Sequence, residues 1–388
     1  MNTDTSLANS KNIRRDKVLV CALAHLDKCP RPLRVVKLLC PTCDVYFSGY
    51  SSTIKDVNFV PIRRRSNILV KLYRLFLKTL RIHRPIERIT FKMDIASLHG
   101  HSFDVIVCHD IQLMPYLNSI SANARIILDL REFYPKQFDH KISWRYLERP
   151  FYHYLCKNYL HEASACMTVS AGLSDAYSQE YSVKPKVIHS YAPASNLPPN
   201  LATDRQLKLL YHGGAIEARG IHQLIHAMDN INREAHLDLM LVGSGPYFDH
   251  LITLVEQRNN VSIIPAVDYS EIVKTTNQYD LGLIFYPPST FNVDNCMPNK
   301  LFEMIQAKVP VLVSPLTSLK LFVKEHNIGW VAADFGPHAL AETINHLTLD
   351  EINRVKSNMS SIAEIMSQEY ANKDLLALIL PNIEVANT

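Results

Sequence analysis

Pro298-Asn-Lys-Leu-Phe-Glu303, followed by Ala307-Lys-Val-Pro-Val-Leu-Val-Ser314, reads as a loop, a helix opened by proline, and a buried strand. A proline in the first helical turn loses no hydrogen bond, because its missing N–H would have no partner there. Free N–H groups at such a helix start favour an anion, and Lys300 adds a full positive charge beside them. Glu303 comes five residues after the proline, about one and a half turns in, where a carboxylate can hold a ribose diol. An anion cradle next to a diol acceptor suits a nucleotide diphosphate.

The same unit of short apolar strand, polar turn and amphipathic helix repeats along the chain. Strands are predicted at 17–24, 44–48, 103–108, 125–130, 165–169 and 186–189. A second set is predicted at 207–211, 237–242, 261–264, 281–286, 309–313 and 329–331. These runs are continuously apolar rather than alternating, as expected of strands covered on both faces in a parallel sheet. Helices between them predict an α/β protein of two Rossmann-like, doubly wound domains. The turn-rich stretch around Tyr191-Ala-Pro-Ala-Ser-Asn-Leu-Pro-Pro-Asn200 has no periodicity and reads as the linker. The expected division is a disordered leader at 1–16, a first domain at 17–190, a linker at 191–204, and a second domain at 205–350. The segment 351–388 is expected to pack back toward the first domain.

At 388 residues, with 47% hydrophobic and 20% charged residues, the chain suits two globular domains. No apolar run approaches the roughly 18–20 residues needed to span a bilayer. Arg14-Arg15 before the run 18–24 resembles a signal peptide, but the run is short, Asp16 and Lys17 abut it, and no cleavage site follows. A first buried strand is the better reading. Eight scattered cysteines include Cys40-Pro-Thr-Cys43 without a matching second pair. That favours free thiols in a reducing compartment, the cytoplasm.

Charge is divided unevenly. Residues 1–200 hold 28 Lys and Arg against 16 Asp and Glu, whereas residues 201–388 hold 13 against 21. Residues 63–92 carry ten of the cations against the single Glu87. At 100° per residue, Ile68, Leu69, Leu72, Leu75 and Phe76 share one helical face, with Lys71, Arg74, Lys78 and Arg81 opposite. Two readings fit this amphipathic basic helix: a contact with an anionic membrane surface, or a Rossmann helix whose basic face is merely solvated. Both hold together if the apolar face packs inward and the basic face meets lipid. No nucleic-acid motif accompanies the run, so no nucleic-acid partner is expected.

Two further turns converge with the opening segment. Tyr211-His-Gly-Gly214 leads to Arg219-Gly220, and Val242-Gly-Ser-Gly-Pro246 ends the next strand. Glycines allow close backbone approach, and an arginine at a helix mouth pairs with phosphate. In one parallel sheet all these turns fall on one edge.

With these residues the chain resembles the retaining GT-B glycosyltransferases of the family-4 type, glycosyl transferases group 1. The likeness spans roughly residues 17–370 and is sharpest over 207–335, in a variant subgroup bearing Pro-Asn-Lys-Leu-Phe-Glu. It implies a nucleotide-diphosphate sugar donor between the domains, a saccharide or lipid-linked acceptor, and a role in surface polysaccharide or glycoconjugate synthesis. By that resemblance Glu303 binds the ribose hydroxyls. Arg219 and Lys300, with the N–H groups of Asn299 and Lys300, neutralise the diphosphate. Gly213, Gly214, Gly243 and Gly245 shape the nucleotide pocket, and Asn295 faces the sugar. His109, at the end of Phe103-Asp-Val-Ile-Val-Cys-His109-Asp110, would reach the interdomain cleft. Asp110, Arg131 and Glu132 are acceptor-side candidates. Neither a metal nor a resident cofactor is expected, since no Asp-x-Asp motif is present.

Two positions depart from the family pattern. Asn295 stands where a glutamate is usual, and Gly214 where a basic residue is common. A glycine-rich loop near the first strand is replaced by Ala24-His-Leu-Asp-Lys-Cys-Pro-Arg-Pro32, which puts His25, Lys28, Arg31 and Arg34 toward the cleft. The departures keep a second hypothesis open, a catalytically degenerate scaffold that binds a partner or membrane. A sugar-nucleotide epimerase on the same fold is a third.

Overall fold

Two sheets organise the chain. The first has eight strands: β1 (Lys17–Cys21), β2 (Asp44–Gly49), β3 (Asn58–Arg64), β4 (Phe91–Met93), β5 (Val105–Cys108), β6 (Arg125–Leu130), β7 (Ala165–Thr168) and β8 (Lys186–Val187). Their spatial order is β4-β3-β2-β1-β5-β6-β7-β8. The second has six: β9 (Leu207–Gly214), β10 (Ala235–Val242), β11 (Val261–Pro265), β12 (Leu281–Ile284), β13 (Val311–Val313) and β14 (Gly329–Val331), in the order β11-β10-β9-β12-β13-β14. This is a computed structural model. It describes residues 15–381 apart from 66, 94–97, 99–100, 118 and 204–205. Nearly all of the expected leader at 1–16 lies outside the described residues.

Every strand pairing is parallel except β3 with β4, where Ile62 lies opposite Met93. Along β1, Leu19 and Cys21 enter one core while Val18 and Val20 enter the core on the opposite face. Both faces are covered, which is why these strands read as continuous apolar runs. Of the run 18–24, residues 18–21 lie in the buried strand β1. β3 and β4 escape sequence reading for a physical reason. β3 contains Pro61 and runs into three arginines, and β4 is a three-residue antiparallel edge.

The order of each sheet reverses once, between β1 and β5 and between β9 and β12. At such a switch point the loops leaving neighbouring strands part and open a crevice. In the second sheet the crevice lies between the Gly213–Gly214 end of β9 and the segment after β12 that leads to the helix Asn299–Gln306. In the first it lies between the ends of β1 and β5, where His109 and Asp110 stand.

The segments between and after the sheets are fixed by buried cations. Lys308 Nζ donates to Ser195 O at 2.6 Å, and Gln306 bonds Ser195 N, Ala363 O and Met366 O. Lys356, fully enclosed, donates to Asn200 O at 2.5 Å and Tyr279 O at 2.7 Å and pairs with Asp280 at 3.3 Å. The helix Leu349–Ile365 packs with the second core. The helix Gln368–Ile379 instead sends Leu375 and Ile379 into the core beneath β1.

The basic helix, Ile68–Thr79, overturns the expected orientation. Its apolar face points outward, with Ile68 64%, Leu69 69% and Phe76 56% exposed. Lys78 turns inward, 4% exposed, and pairs with Glu148. Arg74 is half-buried on the same side. The ion pair and the ring of Phe151, 5.7 Å from Lys78 Nζ, hold Lys78 inward, whereas Lys71 and Arg81 of the cationic face stay exposed.

Candidate active site

The site begins with the way β9 ends. Tyr211 and His212 are buried strand residues, and Gly213 follows at φ +131°. Its backbone, still paired with Leu241 of β10, takes a conformation that side chains rarely adopt. A methyl carbon added at Gly213 would lie 3.3 Å from Lys300 Nζ and 3.4 Å from Arg219 Nη1. Lys300 and Arg219, 81 positions apart in sequence, therefore meet over one glycine. Gly214 is similar, its added carbon being 3.6 Å from Arg219 Nη1. Arg219 is delivered by the turn Glu217–Arg219, which closes on Gly220 at φ +64° before the helix Ile221–Ala227.

Lys300 comes from the other side of the crevice. The helix runs Asn299–Gln306, so Pro298 is the residue just before it, at φ −72° and ψ 143°, and not inside the first turn. The anion-binding reading survives this shift, because the N–H groups of Asn299 and Lys300 still have no intrahelical acceptor. Lys300 is 5% exposed. Its Nζ sits 3.6 Å from the Tyr211 ring centroid and 5.4 Å from that of Tyr286, with no hydrogen-bond partner. Arg219 Cζ lies 5.9 Å from the Tyr286 ring. Burial, and then the Arg219 charge, holds the Lys300 ammonium well below the usual lysine range.

Glu303, one turn along, is 7% exposed, and its Oε2 lies 3.6 Å from His212 Nδ1. Burial pushes its carboxyl up to about 7, with Lys300 pulling the other way. His212 is pushed down to about 3 by burial and then by Lys300, and is therefore neutral. Its Nε2 has no partner. The Lys300 ammonium and the His212 Nε2 edge, both without hydrogen-bond partners, form a polar socket beside the Glu303 carboxyl. Buried polar groups ordinarily are paired, which marks these two as candidate contacts for a polar ligand.

A cleft of about 1330 Å³ runs between the two sheets; Arg219, His212, Lys300 and Glu303 are not themselves in its wall. On the second-sheet side it reaches Ala218, Asn299 and Tyr269, neighbours of Arg219, Lys300 and Glu303. On the first-sheet side it is walled by Lys28, Arg31, Arg34, Arg131 and Glu132. Of the cations expected here from residues 24–32, His25 alone is not in the wall; it bonds Ser51 at 2.8 Å instead. Gly243, φ +140°, stands beside Ala215, and Gly245, φ +101°, opens the helix Pro246–Glu256 with free space around it. Both follow β10, the strand next to β9, and neither is in the cleft wall.

Two expected residues are placed differently. His109 is completely buried and is not part of the cleft wall. Its Nδ1 bonds Asp129 Oδ2 at 2.8 Å, and Arg31 clamps the same carboxylate through Nε at 2.6 Å and Nη2 at 2.9 Å. Arg31 thus takes the cleft position with His109 behind it, and His109 Nε2 is left unpartnered. Burial lowers the His109 pKa despite the bond to Asp129, so the ring is neutral.

Asn295 is the second. Its amide donates to Phe291 O at 3.0 Å and lies 3.4 Å from Ser318 Oγ. The same amide oxygen fills the space a side chain at Gly172 would need. Ser170 Oγ bonds the Asn295 carbonyl at 2.8 Å. The residue joins the two halves of the chain, as does Asn292 Oδ1, which accepts from Phe133 N at 2.8 Å. It does not line the cleft. A neutral amide suits a contact with backbone groups, where a carboxylate would need a cation.

On the acceptor side Arg131 pairs with Asp110 at 3.4 Å and not with Glu132. Asp110 also accepts from Leu23 N at 2.8 Å, tying β5 to the end of β1. Sequence reading missed His212 and Tyr269. His212 was legible only as part of Tyr211-His-Gly-Gly214, and Tyr269 sits in a polar turn with no motif.

Residues 196–364 match the family model described as Glycosyl transferases group 1. No curated protein matches the chain. Among solved structures, the chain is similar to HepE from Anabaena in complex with UDP and glucose, at 13% identity and TM-score 0.66, covering 94% of this chain and 99% of that one. It is similar to sucrose-phosphate synthase from Thermosynechococcus elongatus, at 14% identity and TM-score 0.66, covering 94% and 98%. A glycosyltransferase from Rickettsia africae gives 12% identity and TM-score 0.65, covering 95% and 100%. At these identities the likeness shows the fold, which is GT-B: two parallel-sheet α/β domains facing across a cleft.

Proposed function

We propose that the protein is a retaining glycosyltransferase. It moves a sugar from a nucleotide-diphosphate sugar to a saccharide or lipid-linked acceptor in surface polysaccharide or glycoconjugate synthesis. The observation that carries the reading is Lys300 Nζ, buried without a hydrogen-bond partner and meeting Arg219 over Gly213. Two cations converging on a backbone that only glycine leaves open fit a diphosphate. The group 1 match over residues 196–364 covers this same half, and the HepE structures similar to the chain hold UDP and UDP-glucose.

In this reading the diphosphate lies on the Asn299 and Lys300 N–H groups, and Glu303 accepts from the ribose hydroxyls. Arg219 and Lys300 stabilise charge that grows on the leaving phosphate as its bond to the sugar breaks. The acceptor oxygen bonds the same face of the sugar carbon, and its proton passes to the departing phosphate oxygen. Retention then needs no carboxylate nucleophile, and the two cations do the work of a metal. The basic wall of Lys28, Arg31, Arg34 and Arg131 suits an anionic acceptor, and the protein would work in the cytoplasm, on the inner face of the membrane. Among the described residues no helix is long and apolar enough to cross one.

One observation favours the degenerate scaffold. Asn295, at the position of an expected glutamate, has its side chain committed to Phe291 and Ser318. Turnover of a panel of uridine, guanosine and adenosine sugar nucleotides separates the readings. The enzyme reading expects turnover that Arg219→Ala and Glu303→Ala abolish in folded protein. Unchanged turnover in both variants would remove the site assignment, and no binding of any donor supports the scaffold.

A further inference from the structure

An amphipathic helix at a protein surface normally turns its apolar stripe inward. The helix Ile68–Thr79 does the reverse. Ile68, Leu69, Leu72, Tyr73, Leu75 and Phe76 are 45 to 69% exposed, and Leu80 and Ile82 extend the stripe past its end. A second exposed apolar pair, Ile142 at 71% and Tyr146 at 66%, lies on the neighbouring segment. The two elements are pinned together by the buried Lys78 and Glu148. A contiguous patch of this kind on a soluble surface marks an interaction site.

The charges around the patch name its occupant. Arg63, Arg64, Arg65, Lys71, Arg81 and Arg84 are all exposed. The single acid of residues 63–92, Glu87, is buried and accepts from Tyr154 and Tyr159, the latter at 2.6 Å. The surface offered is therefore apolar in the middle and cationic at the margins. That combination fits an anionic bilayer, where the stripe enters the boundary between headgroups and acyl chains and the cations meet lipid phosphates. The patch also adjoins the cleft. Phe138 and His140 line the cleft, and Ile142 and Tyr146 follow on the same segment.

We propose that the exposed apolar stripe of residues 68–82, together with Ile142 and Tyr146, docks on an anionic lipid bilayer and sets the first-sheet mouth of the cleft against the membrane. The orientation toward an acceptor rests on the glycosyltransferase reading, whereas the docking itself does not.

Full-length protein is mixed with vesicles of phosphatidylcholine alone or with phosphatidylglycerol, and bound protein is measured by flotation. Binding is expected only with phosphatidylglycerol, and it should weaken as salt rises. Leu72→Ser with Phe76→Ser should reduce binding at least about tenfold. Replacing Arg63, Arg64, Lys71 and Arg81 by alanine should reduce it by about fivefold per charge. All these residues are exposed, and donor-induced stabilisation should be unchanged in both variants. Equal binding by wild type and variants would overturn the proposal. So would a dimer in light scattering that Leu72→Ser with Phe76→Ser dissolves, without vesicle binding, since the stripe would then belong to a second copy. Failure of every sugar nucleotide to bind the wild type would sink the enzyme reading alone, and the vesicle result would still decide docking.

Discussion

Lys300 Nζ lies 3.6 Å from the ring centroid of Tyr211, buried and without a hydrogen-bond acceptor. The ring face gives the ammonium partial compensation. It does not replace the hydrogen bonds lost from water, so burying the Lys300 amine here costs stability.

Replacing that cation should therefore separate stability from function. Lys300→Met keeps the packing against Tyr211 and Tyr286 and removes the unpaired charge. We expect the ligand-free protein to gain about 1 kcal/mol, a rise of about 2–4 °C in melting temperature. Sugar-nucleotide turnover should fall by about 10²–10³-fold. Differential scanning calorimetry and a coupled nucleotide-release assay measure the two effects on one sample.

The same logic gives a pH dependence. Burial pushes the Glu303 carboxyl up to about 7, above its usual range, so it is largely protonated in mildly acidic solution. A diol donates hydrogen bonds and needs the ionised form, so binding releases a proton below about pH 7. Nucleotide affinity should rise from about pH 6 and level off above pH 7. Glu303→Gln should flatten that part of the profile, which calorimetry in buffers of different ionisation enthalpy can follow.

Gly213 permits the meeting of Lys300 and Arg219. In Gly213→Ala the new methyl faces both cations at 3.3–3.4 Å, and the backbone at φ +131° becomes strained. The expected cost is about 2 kcal/mol of stability together with loss of nucleotide binding. Circular dichroism and calorimetry test the two parts.

In the first sheet, Arg31 holds Asp129 in place. Burial would raise the Asp129 carboxyl, but the Arg31 charge and the His109 hydrogen bond outweigh it, and the carboxyl lies below its usual range. A depressed carboxylate stabilises the fold above the unfolded pKa of about 3.9. That stability is lost as pH falls through the folded value. Arg31→Ala should remove about 3 kcal/mol at neutral pH and move acid unfolding to higher pH, as fluorescence titration would show.

The parallel strands were legible because covering on both faces leaves apolar runs, as at Val18, Leu19 and Val20. The crevice of the second sheet was legible for a local reason: its backbone turns on Gly213 and on the helix start at Asn299, and both leave marks in sequence. What the sequence did not carry is direction. Residues 68–79 display their amphipathic period plainly, but the period is the same whichever face turns inward. Only the burial of Lys78 against Glu148, 70 residues away, decides it. His109 and Asn295 failed similarly. Each sits where a motif would place it, and partners distant in the chain, Asp129 with Arg31 and Ser318 with Gly172, turn it from the cleft.

The central claim is that the Lys300–Arg219 socket takes a nucleotide diphosphate sugar. Thermal unfolding of the wild type and Lys300→Ala across a panel of sugar nucleotides tests it most directly. At a concentration 100 times its dissociation constant, a true donor stabilises the fold by roughly 2.7 kcal/mol. The account predicts such a shift for at least one donor in the wild type and its loss in Lys300→Ala. An equal shift in both proteins, or none for any base, would contradict it.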